Sequence, residues 1–312
     1  MNVPIRLAAF AAVLGLAFGG AALAGAAIDP TDQEDVVADA GHGGGEAGAG
    51  GNDSHGDGEG AAQSGGEEDG HGSSGGGGAA LSGLTVSQDG FTLEPDRTHF
   101  AGDGPNRFTF RIVDDRGRVV RDEYEVESDR ELHLVVVRRD TAIYEHVHPR
   151  KGEDGTWSVD LALREPGVYR AYADFQIGGE KRALATDLFV PGDFEPAPLP
   201  DPEPVSEVDG YASELAASQP LQAGQARTLT FSISRGQTPM EDLQPYLGAR
   251  GHLVALREGD LGYLHVHPKE GVGGNAVAFG ATFPTAGRYR LFFQFRTRGQ
   301  VRTVAYTVEV PR

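Results

Sequence analysis

The chain is 312 residues long, enough for two ordinary domains, and its formal net charge of −19 is unevenly spread. Residues 29–80 hold twelve Asp or Glu and no Lys or Arg, so the rest is only mildly acidic, and no basic stripe could bind nucleic acid. The lack of cysteine excludes disulfides, a lipidated cysteine, thiolate metal sites and cysteine nucleophiles, leaving hydrophobic cores alone to hold the domains.

At the N-terminus, Arg6 precedes an uncharged run from Leu7 to Ile28 that ends in small residues, Ala22-Leu23-Ala24 and Ala24-Gly25-Ala26. That is the pattern of an export signal. The run also has the length of a bilayer-spanning helix, roughly 20 residues. Residues 1–28 therefore read as an apolar helix, either a signal peptide or a membrane anchor. Both readings place the protein outside the cytoplasm, secreted or anchored, with a membrane or cell-envelope protein as the natural macromolecular partner.

Residues 29–80 follow with eighteen glycines, many acids and almost no large apolar side chains. Such a stretch cannot offset its ordering entropy by burial, which predicts a disordered linker. Its His42, His55 and His71 are scattered, and a solvated spacer is the plainer reading than a metal-collecting tail.

The remainder is a duplication. A shift of 119 positions aligns His133-Leu134-Val135 with His252-Leu253-Val254, Arg138 with Arg257, and Tyr144 with Tyr263. It also aligns His146-Val147-His148-Pro149 with His265-Val266-His267-Pro268. After one inserted residue Gly167-Val168-Tyr169-Arg170 matches Gly287-Arg288-Tyr289-Arg290, and Phe175 matches Phe295. Copies of this size are domains rather than solenoid repeats. The expected boundaries are 81–193 and 207–312, with a Pro-rich spacer over 194–206.

Within each copy, short segments rich in Val, Leu, Phe, Tyr and Thr alternate with turn residues. Phe108-Thr109-Phe110-Arg111-Ile112-Val113 before Asp114-Asp115-Arg116-Gly117 is one example. The pattern predicts an all-β fold: two tandem immunoglobulin-like antiparallel β-sandwich domains. Pro166-Gly167-Val168-Tyr169 and Ala286-Gly287-Arg288-Tyr289 resemble a tyrosine corner without the usual cysteine two residues later, where Ala171 and Leu291 stand.

Six of the ten histidines fall in the repeated motif. His146 and His148 are two apart on a predicted strand and so share a face. In the second copy a two-residue turn at Gly259-Asp260 predicts a hairpin with His252 opposite His267. Val254, Leu256, Tyr263 and His265 then lie on the same face. Copied to the first repeat, His133 faces His148 and neighbours His146. The prediction is one three-His metal site per repeat: His133, His146 and His148, then His252, His265 and His267. Neutral imidazoles suit Cu(II) or Zn(II), whereas Cu(I) favours sulfur, and Met240 is the one thioether in the domains. Glu145 and Glu153 are possible extra oxygen ligands in the first copy, without equivalents in the second. His99 has no evident partner. An inert, hydrogen-bonded His network is the competing structural reading.

The strings His-Leu-Val-x-x-x-Arg, Tyr-x-His-x-His-Pro and Pro245-Tyr246-Leu247-Gly248-Ala249-Arg250-Gly251-His252 resemble a group of uncharacterised bacterial secreted or membrane-anchored proteins. These are often linked to heavy-metal handling and carry sandwich domains similar to the YtkA/FixH-like kind. The resemblance covers residues 81–312 and implies metal handling outside the cytoplasm. Three functions stand in order: a divalent-metal-binding accessory protein, a structural or protein-interaction module, and a zinc or cupin-like metalloenzyme. The last is weakest. No catalytic residue, Ser/His/Asp order, P-loop or dinucleotide fingerprint is found, and no His follows the motif in either copy.

Overall fold

Alternating apolar residues and closely spaced turns produce an all-β architecture. The structure, a computed structural model, describes residues 81–104 and 106–312. The expected N-terminal helix and acidic linker lie outside the described residues. Among the described residues no helix is long and apolar enough to cross a membrane.

The first repeat holds β1 (Ser87–Gln88), β2 (Phe91–Pro95), β3 (Asn106–Val113), β4 (Leu132–Arg138), β5 (Tyr144–Val147), β6 (Arg150–Lys151), β7 (Trp157–Leu161), β8 (Gly167–Ile177) and β9 (Glu180–Val190). They form two antiparallel sheets, ordered β1-β2-β3-β7-β6 and β5-β4-β8-β9. The second repeat begins with β10 (Val205–Val208), β11 (Tyr211–Ala217), β12 (Ala226–Arg235), β13 (Thr238–Pro239) and β14 (Gly251–Arg257). It continues with β15 (Tyr263–Leu264), β16 (His267–Lys269), β17 (Ala276–Thr282), β18 (Gly287–Thr297) and β19 (Gln300–Val310). Its sheets are β10-β11-β12-β17-β16, with β13 on β12, and β15-β14-β18-β19.

Each repeat is a sandwich with its own core. In β3, buried Phe108, Phe110 and Ile112 alternate with more exposed Arg107, Thr109 and Arg111, as one buried face requires. They meet Leu132, Leu134, Val136 and Tyr169 of the facing sheet. Phe231, Phe279, Phe293 and Tyr306 fill the second core. The corner is present in both copies: the Tyr169 hydroxyl donates to the Glu165 carbonyl (2.8 Å) and the Tyr289 hydroxyl to the Thr285 carbonyl (2.9 Å).

A third core joins the repeats. Val135, Val137, Tyr172, Ala183 and Ala185 of the first pack against Val254, Leu256, Leu261, Tyr263 and Phe292 of the second. This explains why every residue of β4 is buried. Leu132, Leu134 and Val136 fill the first core, while His133, Val135 and Val137 face the other repeat. The contact is reciprocal. Tyr144 stacks on Phe292 with ring centroids 4.1 Å apart, and the equivalent pair, Tyr263 and Tyr172, lies at 5.3 Å. His146 meets Gln294, and its counterpart His265 meets Asp174, the residue equivalent to Gln294. The same face of each copy meets the other, as in an isologous dimer joined into one chain.

The connections dock on this body. Ser82 and Tyr263 exchange two backbone hydrogen bonds of 2.9 Å, which covers the free edge of β15. The Ala197 amide donates to Asp140 (3.0 Å). Arg138 forms ion pairs with Asp140 and Glu165, and Arg257 with Asp260, so both repeated arginines pair locally.

Candidate metal centre

Strand pairing places the histidines. In the first hairpin Val135 pairs with His146 and Val137 with Tyr144, the register that sets His133 across from His148. In the second, Leu256 pairs with Tyr263, again as the turn at Gly259-Asp260 predicts. The turn itself is wider than two residues. The Leu261 amide reaches the Arg257 carbonyl (3.0 Å), and Leu261 takes a positive φ of 57°.

His133, His146 and His148 converge, with one ring nitrogen of each within 4.8 Å of the others. His133 Nε2 lies 3.1 Å from the Glu127 carbonyl and so donates to it. That leaves His133 Nδ1 as a lone pair, facing His146 Nε2 at 3.2 Å. His146 Nδ1 sits 2.7 Å from Gln294 Oε1, across the repeat boundary, and donates there. With both outer nitrogens donating, two inner lone pairs face each other, an arrangement that calls for a shared proton or a cation. His148 Nε2 is buried and has no hydrogen-bond partner among the described residues.

The second expected cluster does not form as a separate group. Pairing of β15 to β14 stops at Leu264, and the chain crosses to the outer sheet, where His267 pairs with Gly280 and is exposed. His252 therefore has no His267 opposite it. Its ring stacks instead against the first repeat's histidines, 4.6 Å from His146 and 5.6 Å from His133. His265 lies 3.9 Å from Asp174 and 5.2 Å from the Tyr263 ring. The sequence reading missed this regrouping because it treated each hairpin alone. The uninterrupted apolar run Leu134-Val135-Val136-Val137 was the available signal, since a strand apolar on both faces is covered on both.

Burial favours the neutral form of His146, His148 and His252. Burial pushes His146 well below its ordinary value, with His252 and His133 adding to the effect. Burial, then His133, lowers His252 to about 3, and burial, then His133 and Arg130, lowers His148 to about 4. Neutral imidazole is the metal-binding form. Glu145 is not a ligand. It alternates with His146 along β5, and its carboxylate accepts from the Ala162 amide at 2.9 Å. Met240 is buried in the second repeat's core, away from the cluster. His99, expected to be alone, stacks on Phe189 at 4.9 Å. An open groove lined by Arg130, Tyr246, Gln294 and Arg296 reaches His146 and His148.

The family model described as "Domain of unknown function (DUF8832)" matches the chain twice, at residues 85–192 and 206–312. No curated protein matches the sequence. Among solved structures, the Escherichia coli adhesin FdeC is similar at 12% identity and a TM-score of 0.23, over 73% of this chain and 66% of that one. Domains 4 and 5 of the S-layer protein SbsC are similar at 12% identity and a TM-score of 0.22, over 73% of this chain and 100% of that one. Yersinia pseudotuberculosis InvD is similar at 13% identity and a TM-score of 0.24, over 72% of this chain and 58% of that one. The chain thus spans less than two thirds of the length of FdeC and of InvD. Likeness at this level carries no argument about function.

Proposed function

We propose that this chain, which belongs to the DUF8832 family of unknown function, serves outside the cytoplasm as a rigid two-sandwich structural or interaction module. The observation that carries this reading is the third core, in which Val135, Tyr172, Val254 and Phe292 bind the repeats to each other. A flexible tandem array would leave that surface polar. The tyrosine corners and the two-sheet order support the finer description of each repeat as immunoglobulin-like. The export-type N-terminus supports the location, with residues 1–28 released or retained as an anchor beside a cell-envelope partner.

The test is calorimetry of the full chain. One transition whose van't Hoff and calorimetric enthalpies agree is expected, because opening the third core exposes apolar surface on both repeats at once. Two independent transitions would overturn the single-body reading.

A second reading is favoured by one observation, the convergence of His133, His146 and His148. In it the module binds a divalent metal ion, Cu(II) or Zn(II), in keeping with the resemblance to heavy-metal-associated secreted proteins. The donor set fits such an ion: nitrogens within reach of one another, with outer nitrogens held by the Glu127 carbonyl and Gln294. These contacts would fix the rings and raise their basicity when a metal is bound.

A further inference from the structure

We infer that His252 of the second repeat completes a four-imidazole divalent-cation centre with His133, His146 and His148, giving one inter-repeat site per chain rather than one site per repeat. The inference rests on the metal-binding reading above and deepens it by naming the fourth ligand.

The nitrogens of His133, His146 and His148 lie within 4.8 Å of one another, and the His252 ring packs against two of these histidines. Four imidazoles bound tetrahedrally through nitrogens at about 2.05 Å from an ion place neighbouring donor atoms about 3.3 Å apart. His133 Nδ1 and His146 Nε2 are 3.2 Å apart. The same tetrahedron, with each ring centre about 1.2 Å beyond its donor atom, separates the centroids by about 5.3 Å. The centroid distances are 5.3 Å for His133–His146, 5.1 Å for His133–His148 and 5.0 Å for His146–His148. His252 packs beside this group, 5.6 Å from the His133 ring and 4.6 Å from the His146 ring.

Polar bookkeeping points the same way. Among the described residues His148 Nε2 and His252 Nε2, like His265 Nε2 on the second repeat, are buried without hydrogen-bond partners, and a buried orphan of this kind is costly. A cation between them would satisfy both, together with the facing lone pairs of His133 and His146. The register explains why only one centre arises. His133 and His252 are equivalent positions in the two repeats and stack across the repeat boundary. A symmetric pair of sites would have to share both rings. Since β15 releases the chain after Leu264 and carries His267 to the outer sheet, only the first repeat supplies two further imidazoles. The ion would then hold three ligands from one sandwich and one from the other, closing the interface beside the Tyr144–Phe292 stack.

Co(II) is the probe, because its visible absorption distinguishes four-coordinate tetrahedral sites from sites of higher coordination. The full chain carries H42Q, H55Q and H71Q so that the acidic segment contributes no imidazole. One tetrahedral Co(II) per chain is expected. His252→Gln should weaken binding roughly tenfold or more and change the spectrum, while His267→Gln leaves both unchanged. If the parent chain binds no Co(II) or Zn(II), the metal-binding reading itself fails. If it binds one ion that His252→Gln leaves untouched, the three-His reading stands and the fourth ligand is overturned. Two ions per chain also overturn the shared site. Should His252→Gln misfold, the imidazole 15N resonances of unmutated protein decide: Zn(II) must shift His252 together with His146, and an unmoved His252 refutes the inference.

Discussion

His146, His148 and His252 are each held below the ordinary imidazole value, chiefly by burial. The unfolded chain takes up these protons below about pH 6.5, whereas the folded chain resists until far lower pH. A depressed folded value therefore contributes stability that is complete above about pH 6.5. It is lost as the pH falls toward about 4 for His148 and about 3 for His252. Lys181 and Arg130, the other charges acting on the cluster, push in the same direction. For metal-free protein, the urea midpoint should fall between pH 7.5 and pH 5, and His148→Gln should flatten that slope. An unchanged slope in the variant would assign the acid sensitivity elsewhere. The tyrosine corners give a second residue-level expectation. Tyr169→Phe removes one hydroxyl from the Glu165 carbonyl and should cost about 1 kcal/mol in denaturant unfolding, as should Tyr289→Phe. Both tyrosines were readable from Gly-x-Tyr spacing alone, because the corner is a local motif.

At the scale of elements, β14 shows how one strand serves two cores. Leu253 and Ala255 fill the second repeat's own core, and Val254 and Leu256 face the first repeat. A carboxylate placed on either face is a buried, unpaired charge costing several kcal/mol, but the consequences differ. Ala255→Asp should unfold the second repeat. Val254→Asp should separate the repeats while each sandwich survives, which calorimetry would record as two transitions in place of one. Strand alternation and turn chemistry made the hairpin registers legible, and both pairings follow them. Where β15 would end was not legible. Strand termination there depends on competition between β14 and the outer-sheet strand β17 for the segment carrying His267. That competition is decided by packing rather than by period.

Across the whole molecule, the reciprocal contacts make the tandem repeat behave as a dimer whose subunits share a backbone. Tyr144 on Phe292 and Tyr263 on Tyr172 are the same contact made twice. Divergence shows where the symmetry has been given up: Gln294 accepts from His146, whereas its equivalent Asp174 accepts from the Tyr263 hydroxyl and lies beside His265. Covalent connection permits this asymmetry, since the two halves can change independently. The sequence by itself determined the duplication, the all-β class, the tyrosine corners and the face on which the motif histidines begin. All of these depend on residues close in the chain or related by a fixed shift. Only the tertiary structure decided that the two histidine faces meet, that His252 joins the first repeat's cluster, and that His267 leaves for another sheet. The first two depend on contacts more than 100 residues apart in the chain, such as His146 to Gln294, a pairing chosen by the shape of two assembled sandwiches, and the third on the choice between β14 and β17 as the partner of the His267 segment.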